Sequence, residues 1–136
     1  MHNRCTRKEV TEMPVMKEKY DEAYPAYQPD PEMIRLLQPA LLNKEITIVM
    51  GTWCSDSRLE VSHFYKVMDE AGVNDSAITL ICVDETKRAE DGSTDDLKIT
   101  NVPTFIVSEN HKETGRITES PTATLESDLV RILTKN

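Results

Sequence analysis

The chain has 136 residues, 38% of them apolar and 29% charged, a size and balance that fit one compact domain whose core needs no disulfide or metal staple. Sixteen Lys and Arg against 24 Asp and Glu give a net charge of −8, a surface that repels nucleic-acid phosphates and anionic lipid headgroups and so argues against nucleic-acid and membrane-surface roles. No apolar run approaches the ~18 residues of a membrane span. The charged opening stretch Met1–Glu9 has no apolar segment behind it, so no secretory signal is read and a cytoplasmic location is expected.

Residues 1–28 mix charges with Pro14, Pro25, Tyr20, Tyr24 and Tyr27 in no clean period, and are read as an N-terminal extension to a domain over 29–136. Asp30-Pro31 forms an N-cap and first-turn pair, and Met33, Ile34, Leu37 and Leu41 recur at helical spacing, which predicts a helix near 30–42 kinked by Pro39. The β-branched run Ile46–Met50 has the character of a central strand covered on both faces. Gly51-Thr52-Trp53-Cys54 breaks it. Val61, Phe64, Val67, Met68 and Ala71 then mark an amphipathic helix stopped by Gly72.

Ile78–Val83 is a second buried strand, so strand, helix and strand make a right-handed parallel crossover. In the polar stretch that follows, Ser93 and Asp96 are placed as a capping box for a short helix. Val102–Val107 is a strand opened by proline, and Glu109–Gly115 turns the chain toward a partner strand around Arg116–Thr118. Ser120-Pro121 caps a last helix with Leu125, Leu129, Ile132 and Leu133 on one face.

The chemistry concentrates in Trp53-Cys54-Ser55-Asp56-Ser57-Arg58, where a strand ends and a helix begins. Unsatisfied N–H groups and the helix dipole favour an anion there, hence a thiolate over a thiol. Ser57, three residues on, faces the same side of the first turn with a hydroxyl able to donate to the sulfur, and Arg58 adds positive charge nearby.

This block resembles the redox signature of the thioredoxin superfamily, Trp-Cys-x-x-Cys at the start of the helix after a central strand, and Val102-Pro103-Thr104-Phe105 looks like the family's cis-proline loop. The likeness spans residues 30–136 and is nearest to small bacterial thioredoxin-like proteins with a Trp-Cys-x-Asp-Ser block. It implies an α/β, thioredoxin-like fold: a central mixed β-sheet flanked by helices. It implies Cys54 as attacking nucleophile, Trp53 as the aromatic at its border, Pro103 as the proline that holds substrate backbone, and Val102 as a source of main-chain hydrogen bonds. No metal or organic cofactor is implied.

Two departures stand out. The second cysteine is Ser57, and Ile48 stands six residues before Cys54, where thioredoxins keep an Asp that activates the second thiol. Cys54 therefore acts as a monothiol whose mixed disulfide must be resolved from outside, by glutathione or another low-molecular-weight thiol. The substrates implied are glutathionylated or disulfide-containing proteins. A non-catalytic thioredoxin-fold binding or chaperone-like module is the alternative.

The other candidates read plainly. Cys82 lies in an apolar strand as a small buried hydrophobe, placed away from Cys54, and Cys5 is an ordinary terminal thiol. Nine helical residues carry His63 to the opposite face from Cys54, at a rise of ~13 Å. His2 and His111 have no metal-ligand spacing with the cysteines, and the loop around Asp91-Gly92 lacks alternating calcium ligands. Phosphatase and peroxiredoxin patterns fail: Glu60 stands where the former needs Arg, and no Pro and Thr precede Cys54 at the latter's spacing.

Overall fold

The computed structural model describes residues 4–84, 94 and 97–134. In chain order they form β1 (Arg4–Cys5), α1 (Arg7–Glu12), α2 (Pro14–Ala26), α3 (Pro31–Ala40), β2 (Glu45–Met50), α4 (Ser55–Glu70), a 3₁₀ turn (Asp75–Ala77), β3 (Ile78–Cys82), β4 (Thr104–Glu109), β5 (Lys112–Thr118) and α5 (Leu125–Thr134). The sheet order is β1-β3-β2-β4-β5. β2 and β3 are parallel, with Ile46 opposite Ile78 and Met50 opposite Cys82; every other pairing is antiparallel. This mixed sheet with its helices is the α/β, thioredoxin-like arrangement that the sequence implied.

Alternation along β2 sorts the core. Ile46, Ile48 and Met50 join side chains from all five helices in one cluster, at whose centre Phe64 of α4 stacks on Phe105 of β4, centroids 4.3 Å apart. Val49 points the other way and meets Ile81, Val83 and Val102, with Cys54, Leu97 and Ile99 packed against them. Ile48 is fully buried in apolar company, so its position is part of the core.

Residues 4–28 are built into this core. A capping box between Thr6 and Glu9 starts α1, and Pro14 opens α2. Val10 and Met16 are buried in the main cluster. Arg7 reaches from α1 to Asp69 of α4 through two hydrogen bonds of 2.6 and 2.9 Å, donates to the Tyr20 hydroxyl at 2.7 Å, and lies 4.3 Å from the Tyr65 ring centroid. Further along, buried Glu126 of α5 accepts from the Tyr27 hydroxyl at 2.6 Å and the Asp30 N–H at 2.8 Å.

Several boundaries differ from expectation. The α3 helix ends at Ala40, with Pro39 in its last turn. The β4 strand begins at Thr104 rather than Val102. The hairpin turn is Asn110-His111, both at positive φ (53° and 66°), the conformation that matches strand twist, so β5 starts early, at Lys112. Gly115 lies within β5, where a Cβ would come within 2.7 Å of Ile132 on α5. The last helix starts at Leu125 and not after Ser120-Pro121: Thr124 Oγ1 accepts from the Ser127 N–H at 3.1 Å, while Ser127 Oγ accepts from the Thr124 N–H at 3.1 Å. The Ser93/Asp96 capping box lies outside the described residues.

Candidate functional site around Cys54

Where β2 ends at Met50, the chain turns through Gly51–Cys54 into α4. The Cys54 N–H donates to the Gly51 carbonyl at 2.9 Å, and the Cys54 carbonyl accepts from the Arg58 N–H at 3.1 Å. Cys54 is thus the N-cap of a 16-residue helix, in extended conformation, yet its side chain makes no capping bond. Cys54 is half-buried, and its Sγ lies 3.9 Å from the Val102 carbonyl oxygen.

That carbonyl belongs to a loop fixed on both sides. The Val102–Pro103 peptide bond is cis. The Pro103 carbonyl accepts from the Glu119 N–H at 2.7 Å, and Thr104 Oγ1 donates to the Asn101 carbonyl at 2.6 Å. The Val102 side chain is buried in the smaller cluster, against which Cys54 also packs. Sulfur and loop are therefore held by the same apolar floor.

Trp53, the residue before Cys54, is 40% exposed. Its indole N–H donates to the Val83 carbonyl at 3.0 Å, and its ring lies directly over Gly51: a Cβ there would sit 2.5 Å from Trp53 Cε2. A glycine at this position lets the indole lie flat across the turn. The structure thereby gathers Cys54, Trp53, Val102 and Pro103 at one end of the sheet.

Ser57 and Arg58 are directed elsewhere than the sequence reading expected. Ser57 is fully buried, its Oγ accepting from the Gly51 N–H at 3.2 Å, and Arg58 Nη1 donates to the Thr52 carbonyl at 2.8 Å. Both side chains reach back to the turn and brace the loop that presents the sulfur. Glu60, one turn beyond Asp56, is held above the usual carboxylate range, first by burial and then by the Asp56 charge. His63 faces away, its ring stacked on Tyr27 with centroids 4.3 Å apart.

Sequence reasoning missed three contributors. Val83 acts through its backbone carbonyl, for which no side-chain pattern exists. Gly51 matters through the space it leaves for the indole. Residues of α2 also approach the site: Val15, Glu18, Lys19 and Glu22 line a small cavity with Arg58. Among the described residues no group of three or more His, Cys, Asp or Glu side chains is arranged to hold a metal ion, and no helix is long and apolar enough to cross a membrane.

No protein-family model matches the chain, and no curated protein does. Among solved structures, a protein of unknown function from Pseudomonas aeruginosa is similar at 15% identity, over 90% of this chain and 82% of that one, with a TM-score of 0.55. An HIV epitope-scaffold is similar at 15% identity, over 95% and 88% of the two chains, also at 0.55. The germline-specific thioredoxin Deadhead of Drosophila melanogaster shares 16% identity over 74% of this chain and 88% of its own, at 0.48. At such identities the likeness is one of fold.

Proposed function

We propose that the protein is a monothiol thiol-disulfide oxidoreductase in which Cys54 is the nucleophile. The observation that carries this reading is the position of Cys54 Sγ: at the N-terminus of α4, half-buried, free of any capping bond, and 3.9 Å from the Val102 carbonyl beside Pro103. The Val102-Pro103 edge offers main-chain groups to an extended substrate segment, and the exposed Trp53 ring lies on the turn directly before the sulfur.

The exchange takes place in two steps. Cys54 thiolate attacks the glutathione sulfur of a glutathionylated protein, the S–S bond breaks, and the protein leaves as a thiolate while Cys54 carries glutathione. A second glutathione thiolate attacks that mixed disulfide, releasing oxidised glutathione and restoring Cys54. With Ser57 where a dithiol enzyme has its resolving cysteine, the outside thiol is required. Such chemistry suits a reducing, cytoplasmic setting, and a disulfide-containing protein would enter by the same first step.

The test is turnover of a glutathionylated model protein with reduced glutathione, compared between the wild type and Cys54→Ser. Glutathione-dependent release well above the variant is expected. Equal rates would overturn the proposal and leave the second reading, a binding or chaperone-like module that uses the same groove without turnover. Arg58 favours that second reading, because its guanidinium bonds the Thr52 carbonyl rather than the sulfur.

A further inference from the structure

We propose that Cys5 and Cys82 form a second redox site, a thiol pair that closes to an intramolecular disulfide and staples the amino-terminal segment to the edge of the sheet. The geometry is already near that of the bond. β1 pairs antiparallel with β3, Cys5 opposite Leu80, so Cys82 lies two residues along the same strand and on the same face. The two sulfurs are 2.6 Å apart, against ~2.05 Å in a disulfide. The remaining gap is roughly 0.6 Å.

The sulfurs are not what brings the strands together. Thr6 and Glu9 fix the turn directly after Cys5, and Arg7 is held by Asp69, Asp75 and Tyr20. With β1 docked by these contacts, the two thiols meet as a consequence, a pre-arranged pair rather than a chance encounter of a mobile terminus.

Their unequal access sets an order of reaction. Cys82 is fully buried, whereas Cys5 is half-buried and opens on a cavity of about 250 Å³ lined also by Thr6, Arg7, Lys8, Tyr65 and Ile78. An incoming disulfide therefore meets Cys5 first.

The oxidant is a low-molecular-weight disulfide. Cys5 thiolate attacks one of its sulfurs, giving a mixed disulfide and releasing one thiol. Cys82 then gives up its proton and attacks Cys5 Sγ, which expels the second thiol. Two protein thiols are oxidised, one small disulfide is reduced to two thiols, and the protons leave with them. The bond joins positions 77 residues apart, and Cys54 takes no part in it.

The experiment uses the full chain and a Cys54→Ser variant, each equilibrated with oxidised glutathione, quenched with acid, alkylated, and analysed by intact mass and by a non-reducing digest. Cys54→Ser is expected to lose two hydrogens as a monomer, the full chain to lose two hydrogens and gain one glutathione at Cys54, and both to yield a linked Cys5/Cys82 peptide. Cys5→Ser, a half-exposed substitution that leaves the core intact, is expected to lose that link. Three results would overturn the proposal: stable glutathionylation of Cys5 without a linked peptide, a link from Cys5 to Cys54, or links found only between two chains.

Discussion

Replacing Gly51 by alanine isolates what the tight turn does for Trp53. Gly51 has no positive φ, so an alanine backbone is unstrained and the Gly51 N–H bond to Ser57 is kept. The added Cβ lies 2.5 Å from Cε2 and 2.7 Å from Nε1 of the indole. Ordinary carbon contacts are ~3.5 Å, so the ring must retreat by about 1 Å, which stretches its 3.0 Å bond to the Val83 carbonyl beyond the ~3.2 Å limit of a good hydrogen bond. Overpacking costs about 1–3 kcal/mol, and a carbonyl left without its donor about 1–3 kcal/mol. Because a ring that swings outward relieves the first while forfeiting the second, the two do not add fully, and a loss of ~2–4 kcal/mol is expected on these magnitudes. Urea unfolding followed by circular dichroism measures it. Trp53 is the only tryptophan, so its emission separately reports ring displacement, expected as a red shift. In a Trp53→Ala background the same glycine substitution should cost almost nothing, the signature of direct coupling. Unchanged emission together with a stability change below ~0.5 kcal/mol, ordinary for a surface substitution, would refute the placement of the ring over Gly51.

Three further outcomes follow from the packing. Phe105→Ala removes the ring stacked on Phe64 in the main core and is expected to cost ~3–5 kcal/mol by denaturant unfolding; a cost under ~1 kcal/mol would place Phe105 outside the core. Arg7→Ala removes the part-exposed paired bonds to Asp69 and the contact over the buried Tyr65 ring, and is expected to cost ~1–2 kcal/mol, with faster amide exchange in β1 and α1 than elsewhere. Burial lowers the His63 pKa in the folded state, so the unfolded chain takes up its proton first as pH falls. The contribution is full above the unfolded value of ~6.5 and declines below it. Unfolding free energy measured between about pH 7 and pH 6 should therefore fall with pH, less steeply in His63→Gln, and identical slopes would contradict the burial of the ring.

The elements legible in the sequence are those whose signal is local. Ile46–Met50, the period from Val61 to Ala71 and the run from Ile78 announce strand, helix and strand because each buries a face at its own repeat, and the Trp53-Cys54 block stands where those elements meet. What a helical wheel cannot settle is competition for a polar group. Ser57 does share a face with Cys54, but the turn before the helix holds a buried Gly51 N–H that needs an acceptor, and Ser57 Oγ supplies it. Arg58 answers the Thr52 carbonyl in the same way. Residues expected to tune the sulfur brace the loop that carries it. The start of α5 moved for a similar reason: Ser120-Pro121 and Thr124 are both plausible caps, and reciprocal bonding with Ser127 decides for Thr124.

The amino-terminal segment was opaque because its determinants are distant in sequence. A two-residue strand has no period to detect, and α2 buries only Met16 and Ala23 among charged neighbours. Its docking depends on partners such as Asp69, 62 residues from Arg7, and Glu126, 99 residues from Tyr27. Each cysteine of the Cys5/Cys82 pair, taken alone, reads as inert, one terminal and one core; only the antiparallel register of β1 on β3 turns them into a pair. The same register links the two thiol sites through one strand. Cys82 turns its sulfur toward Cys5, while the next residue, Val83, turns its carbonyl to Trp53 beside Cys54. A cross-link from β1 thus anchors the strand end on which the Trp53 border of the candidate site rests.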